Sequence, residues 1–119
     1  MDFLTIQGFN VRPGKNLEFQ EWVRANTAAL SNALPEGVEL VGIYSTIFSS
    51  EKHSGQYRFV LRLDSYGAQD RLAGSDSPEL ARLFAEALSF GDVRLGADFS
   101  NELLKSVADV TIWADYPEE

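Results

Sequence analysis

Apolar residues fall in short runs along this chain, and the period changes from run to run. From Phe3 to Val11 the run Phe, Leu, Thr, Ile, Phe and Val is broken by Arg12-Pro13-Gly14, which predicts a first strand. From about Lys15 to Leu34 the apolar positions Phe19, Trp22, Val23, Leu30, Ala33 and Leu34 recur every three or four residues, the mark of an amphipathic helix. Asn16 is a possible cap at its start, and Pro35-Glu36-Gly37 stops it. Val38 to Phe48 reads as a second strand, the polar Ser49–Gln56 stretch as a hairpin loop, and Tyr57 to Leu63 as a third strand. In the third strand Tyr57, Phe59, Leu61 and Leu63 alternate with Arg58, Val60 and Arg62, so the first set belongs on a core face and the second on the opposite one.

The second half repeats the scheme. A short helix is expected within Asp64–Gly74. Ser77-Pro78-Glu79 places a capping hydroxyl, a proline at the first helical position and a carboxylate in the first turn. Leu80, Leu83, Phe84, Ala87 and Leu88 supply the stripe of the helix that follows, and Gly91 can end it. Ser100–Lys105 reads as one or two helical turns and Val107–Ala114 as an alternating last strand, with Trp113 on its outer face.

The order is β-α-β-β-α-β, one domain over residues 1–119. Right-handed crossovers around a tight central hairpin give the α+β, ferredoxin-like arrangement: an antiparallel sheet in the order 4-1-3-2 with its helices on one face. The other face then needs an occupant. Thr5, Gln7 and Phe9 of the first strand, Leu40, Tyr44, Thr46 and Phe48 of the second, and Arg58, Arg62 and Trp113 are assigned to it. A face rich in aromatics and arginine favours stacking on a second copy, so a homodimer through the open sheet faces is expected.

The element order, the Ser77-Pro78-Glu79 helix start and the ending Leu103-Leu104-Lys105-Ser106-Val107-Ala108-Asp109-Val110 resemble the dimeric α/β-barrel superfamily over nearly the whole chain. The resemblance implies a barrel built from two open sheets and, often, a ligand cavity between sheet and helices. The group includes cofactor-independent monooxygenases, haem-degrading enzymes, ether-degradation-associated proteins and members of unknown activity. Haem-degrading members use an Asn, a Trp and a His in concert. Asn10 can be matched to the first, but Trp113 and His53 do not fall where the pattern wants the others.

Composition narrows the chemistry. Eighteen acidic against ten basic residues leave a formal charge of -8, and the basic residues are scattered. Nucleic acid and anionic membrane surfaces are therefore not expected partners. With no cysteine and a single histidine, thiolate chemistry, disulfides and multi-histidine metal sites are excluded, and no metal or cofactor is expected. The N-terminal residues lack a secretory pattern, and no stretch reaches the roughly 18–20 apolar residues that span a bilayer. A cytoplasmic location is the expectation.

Seven residues are candidates for a ligand site. Asn26 falls within the apolar stripe of the first helix, where its amide either faces a cavity or makes a structural hydrogen bond. Trp22, Tyr44, Tyr66 and Trp113 can line an aromatic pocket or simply fill core and interface. Arg58 and Arg62 can hold a carboxylate or phosphate, or pair with Asp109 in an interface network. His53 reads as an exposed loop histidine, with a general-base role as the alternative. The expected function is small-molecule binding. The alternatives are a cofactor-independent monooxygenase acting on an aromatic or polyketide-like substrate, and a structural dimer with no ligand.

Overall fold

The computed structural model describes residues 2–50, 55–92 and 100–108. His53, Asp109, Trp113 and most of the expected 107–114 strand lie outside them. Among the described residues four strands and three helices follow in the order β1 (Phe3–Phe9), α1 (Asn16–Ala33), β2 (Val38–Ser45), β3 (Tyr57–Leu63), α2 (Ala68–Ala73), α3 (Pro78–Ser89) and β4 (Ser100–Lys105). The sheet order is β2-β3-β1-β4, with β1–β3, β1–β4 and β2–β3 all antiparallel. This is the ferredoxin-like topology, and the helices lie on one face of the sheet.

The fourth strand is a correction. Ser100–Lys105 was expected to be helical, and it is β4: Leu4 stands opposite Leu104 and Thr5 opposite Leu103 on the free edge of β1. Glu, Leu and Lys fit a helix well enough, but six residues are too few to stabilise one. The unsatisfied backbone edge of β1 offers a full ladder of hydrogen bonds instead.

Packing under the helices follows from register. Tyr57, Phe59, Leu61 and Leu63 of β3 are buried, as alternation requires, the first two in a core with α1 and α3 and the last two in a second cluster with Ala68 of α2. Phe19 of α1 is fully buried, with ring centroids 5.1 Å from Phe9 and 4.7 Å from Tyr57. Leu30, Leu80, Leu83 and Ala87 complete this core. Leu88, expected in the stripe of α3, is exposed instead.

Two face assignments reverse. Phe9 stands opposite Tyr57, Gln7 opposite Phe59 and Thr5 opposite Leu61, so these β1 residues lie beneath the helices; Leu4, Ile6 and Gly8 take the open face. As a central strand β1 is apolar on both sides, and a period of two carries no orientation there. In β2, Leu40 faces the helices while Tyr44 faces the open side as expected. The register shifts between Leu40 and Gly42, and the extra residue, Val41, switches the parity.

Helix ends show one success and one substitution. Ser77 Oγ accepts from the Leu80 N–H at 3.2 Å and Pro78 opens α3, as the sequence predicts. Asn16 does not cap α1; Lys15 occupies that position without a side-chain cap. The Asn16 side-chain oxygen instead accepts from Tyr57 Oη at 2.9 Å and Gln56 Nε2 at 3.0 Å, tying α1 to the start of β3.

Candidate functional site

The described candidates separate into three places. Trp22 and Asn26 share one face of α1, and each donates a hydrogen bond to a protein group. The Trp22 indole N–H donates to Glu86 Oε1 at 2.9 Å, which ties α1 to α3. That bond, together with the Arg82 guanidinium, holds the Glu86 carboxyl below its usual range against the opposing effect of desolvation. Arg82 also pairs with Glu79 at 2.6 Å and lowers its pKa. Asn26 Nδ2 donates to the Trp22 carbonyl one turn earlier at 2.9 Å, so the amide does not depend on a ligand for that bond. Asn10, the residue matched to a haem-site asparagine, accepts the Gln56 backbone N–H at 2.9 Å.

Tyr66 lies elsewhere, exposed on the segment before α2, with its ring edge-on to Phe3 at 6.1 Å. Arg62 lies at the far end of the open face. It pairs with Asp2 at 3.5 Å and Glu39 at 4.0 Å beside a polar depression of about 430 Å³ that Gly37 and Asp64 also line.

Tyr44 and Arg58 come together. They stand opposite each other across β2 and β3, and both line a trough of about 490 Å³ on the open face. Ile6 and Val60 also line it, together with Ser45, Thr46, Ile47 and Phe48 from the end of β2 and the segment after it. Ile47 and Phe48 are 94% and 87% exposed, an unusual position for large apolar side chains. Thr46 anchors that segment: its N–H donates to the Gln56 carbonyl at 2.8 Å and its Oγ1 to the Gly55 carbonyl at 2.9 Å. The Tyr44 ring folds back over Gly42, where an added Cβ would sit 2.9 Å from ring carbon Cε2. The missing side chain at Gly42 therefore lets the phenol lie along the sheet.

Arg58 stands out electrostatically. Its Nε is buried with no hydrogen-bond partner, and the guanidinium makes no ion pair among the described residues. Arg62, two residues further along the same strand, has two carboxylates.

A smaller depression of about 270 Å³ lies between α1 and β2, on the side where a cavity was expected. Its walls are Phe19, Gln20, Val23, Arg24, Ile43, Ser45 and Tyr57, rather than Trp22 and Asn26. Sequence reasoning missed Ile6, Ile47 and Val60 as trough residues. The adjacent apolar pair Ile47-Phe48 before a polar loop was the available signal, and it was absorbed into the expected second strand.

Among the described residues no group of His, Cys, Asp and Glu could hold a metal ion, and no helix is long and apolar enough to cross a membrane. No family model matches the chain, and no curated protein matches it. Solved structures do. An uncharacterised NIPSNAP-like domain protein from Burkholderia xenovorans superposes with a TM-score of 0.63 at 13% identity, covering 98% of this chain and 91% of that one. A dimeric ferredoxin-like protein of unknown function from Thermobifida fusca gives 0.61 at 15% identity, with 87% and 90% covered. A cofactor-independent oxygenase from Streptomyces nogalater gives 0.53 at 18% identity, with 95% and 98% covered. The chain is thus a ferredoxin-like α+β protein, similar in fold to proteins of unknown function and to an oxygenase.

Proposed function

We propose that this chain is a small-molecule-binding protein that works as a homodimer, its open sheet face stacked on that of a second copy. The carrying observation is the trough, where Ile6, Val60, Tyr44 and Phe48 surround Arg58, which has no counter-charge among the described residues, on the sheet face opposite the helices. Its volume lies in the range of ligand pockets, but in one chain it is open to solvent. A second sheet would close it and remove the exposed apolar surface from water. The likeness to a dimeric protein of the same fold supports that pairing. Sedimentation equilibrium at micromolar protein should then give twice the 13.2 kDa chain mass. A monomer throughout that range would overturn the dimer.

The lining carries hydroxyls, one phenol and one guanidinium. That set can orient a ligand, and the lining holds no histidine or carboxylate to serve as a general base. Binding is therefore the first reading. Oxygenation of an aromatic or polyketide-like substrate without a cofactor is the second, favoured by the likeness to the Streptomyces nogalater oxygenase. Oxygen uptake across a panel of phenols and quinols separates the two: steady consumption with any member supports catalysis, and binding without consumption supports the first reading.

A further inference from the structure

We infer that the trough selects a small organic monoanion with an apolar body, its carboxylate seated on Arg58. The inference rests on the reading of the trough as a ligand site and adds the class of ligand. A guanidinium that lines a trough without a counter-charge is a receptor for an anion. The sheet gives counter-charges to Arg62, through Asp2 and Glu39, but none to Arg58 among the described residues. The remaining lining, Ile6, Tyr44, Ser45, Thr46, Ile47, Phe48 and Val60, has no carboxylate to occupy the guanidinium.

Nε is enclosed by protein, so a ligand in the trough would be met by the terminal nitrogens of the Arg58 guanidinium, whose paired N–H donors match the two oxygens of a carboxylate. A lone arginine balances one negative charge, which favours a monoanion over a doubly charged phosphate. The rest of the trough is too large for a bare carboxylate ion at about 490 Å³, and it is walled by Tyr44, Phe48 and Ile47. Those side chains call for a flat or compact hydrocarbon body.

The same chemistry could come from a glutamate of the second copy, and the experiment separates the two sources. The dimeric protein, labelled with ¹⁵N, is titrated with 2-naphthoate and with the uncharged 2-naphthylmethanol. Amide shifts report the site, and sedimentation velocity reports the oligomer. Naphthoate should move Tyr44, Thr46, Phe48 and Val60, and bind at least about tenfold more tightly than the alcohol. Arg58→Gln should erase that preference and Arg58→Lys should restore part of it. Arg12→Gln, which removes one positive charge from an exposed loop, should leave the naphthoate affinity unchanged. Equal binding of both compounds, insensitive to Arg58→Gln, would sink the anion assignment and leave the ligand trough standing. Binding of neither compound would overturn both. If Arg58→Gln dissociates the dimer while naphthoate affinity persists, the carboxylate belongs to the second copy and the inference fails.

Discussion

The two faces of this sheet are built from similar residue types and reach opposite ends. Beneath α1 and α3, Phe9, Phe19, Tyr57 and Phe59 interlock, and even the polar atoms there have partners: Tyr57 Oη donates to Asn16 and accepts from Gln20 Nε2 at 3.2 Å. On the other face Ile6, Tyr44, Phe48 and Val60 surround a guanidinium whose Nε has none among the described residues. The difference lies in what covers them. A face closed by its own chain can satisfy every group during folding, whereas an open face keeps unsatisfied groups until something else binds. Unsatisfied chemistry therefore points to the functional side more directly than aromatic content does.

That contrast can be broken from either side. The largest effect is expected on the closed face: Phe19→Ala should cost about 3–5 kcal/mol of unfolding free energy in urea denaturation, because it empties the point where α1, β1 and β3 meet. A cost below about 1 kcal/mol would mean that the closed face is not the core. Val60→Lys on the open face, which adds a second cation beside Arg58, should behave differently. Its chain should remain folded, while association measured by sedimentation weakens by at least about 2 kcal/mol, or roughly thirtyfold, since the pairing would bury an unmatched charge. Unchanged association would place the dimer contact elsewhere.

Smaller effects test details of the closed side. Ser77→Ala removes the side-chain acceptor for the Leu80 N–H and should cost about 1 kcal/mol in thermal or urea unfolding. Asn26→Leu should change stability by less than about 1 kcal/mol, because the lost bond is a local one within α1. Loss of the fold would instead assign Asn26 a tertiary role. The last test is of pH. Glu86 has a lowered pKa in the folded protein, so its contribution to stability is present above the unfolded-chain value and disappears as pH falls through the folded value. Trp22 fluorescence should follow that acid step through the indole–carboxylate bond, and Glu86→Gln should remove the step.

Local chemistry made much of the fold legible. Ser77-Pro78-Glu79 announced α3 because a cap, a missing N–H and a first-turn carboxylate act within one turn of the chain. The alternation in β3 revealed which of its residues are buried because one of its faces is interrupted by two arginines. The candidate site was legible only in part. Tyr44 and Arg58 could be named as aromatic and cationic candidates, but their meeting depends on the β2–β3 register. Asn26 looked like a site residue because a helical wheel shows direction and not hydrogen bonds.

The sequence by itself determined the order of elements through α3, the spans of α1 and α3 to within a few residues and the buried set of β3. These follow from properties of neighbouring residues: period, capping, turn chemistry and charge. Only the tertiary structure decided that Ser100–Lys105 is a strand, that β1 turns Phe9 inward, that a bulge at Val41 sends Leu40 in and Tyr44 out, and that among the described residues Arg62 has two carboxylates and Arg58 none. Each depends on which distant backbone edge or side chain is brought opposite. A central strand apolar on both faces, or one extra residue in a ladder, leaves the sequence pattern compatible with either orientation until the sheet assembles.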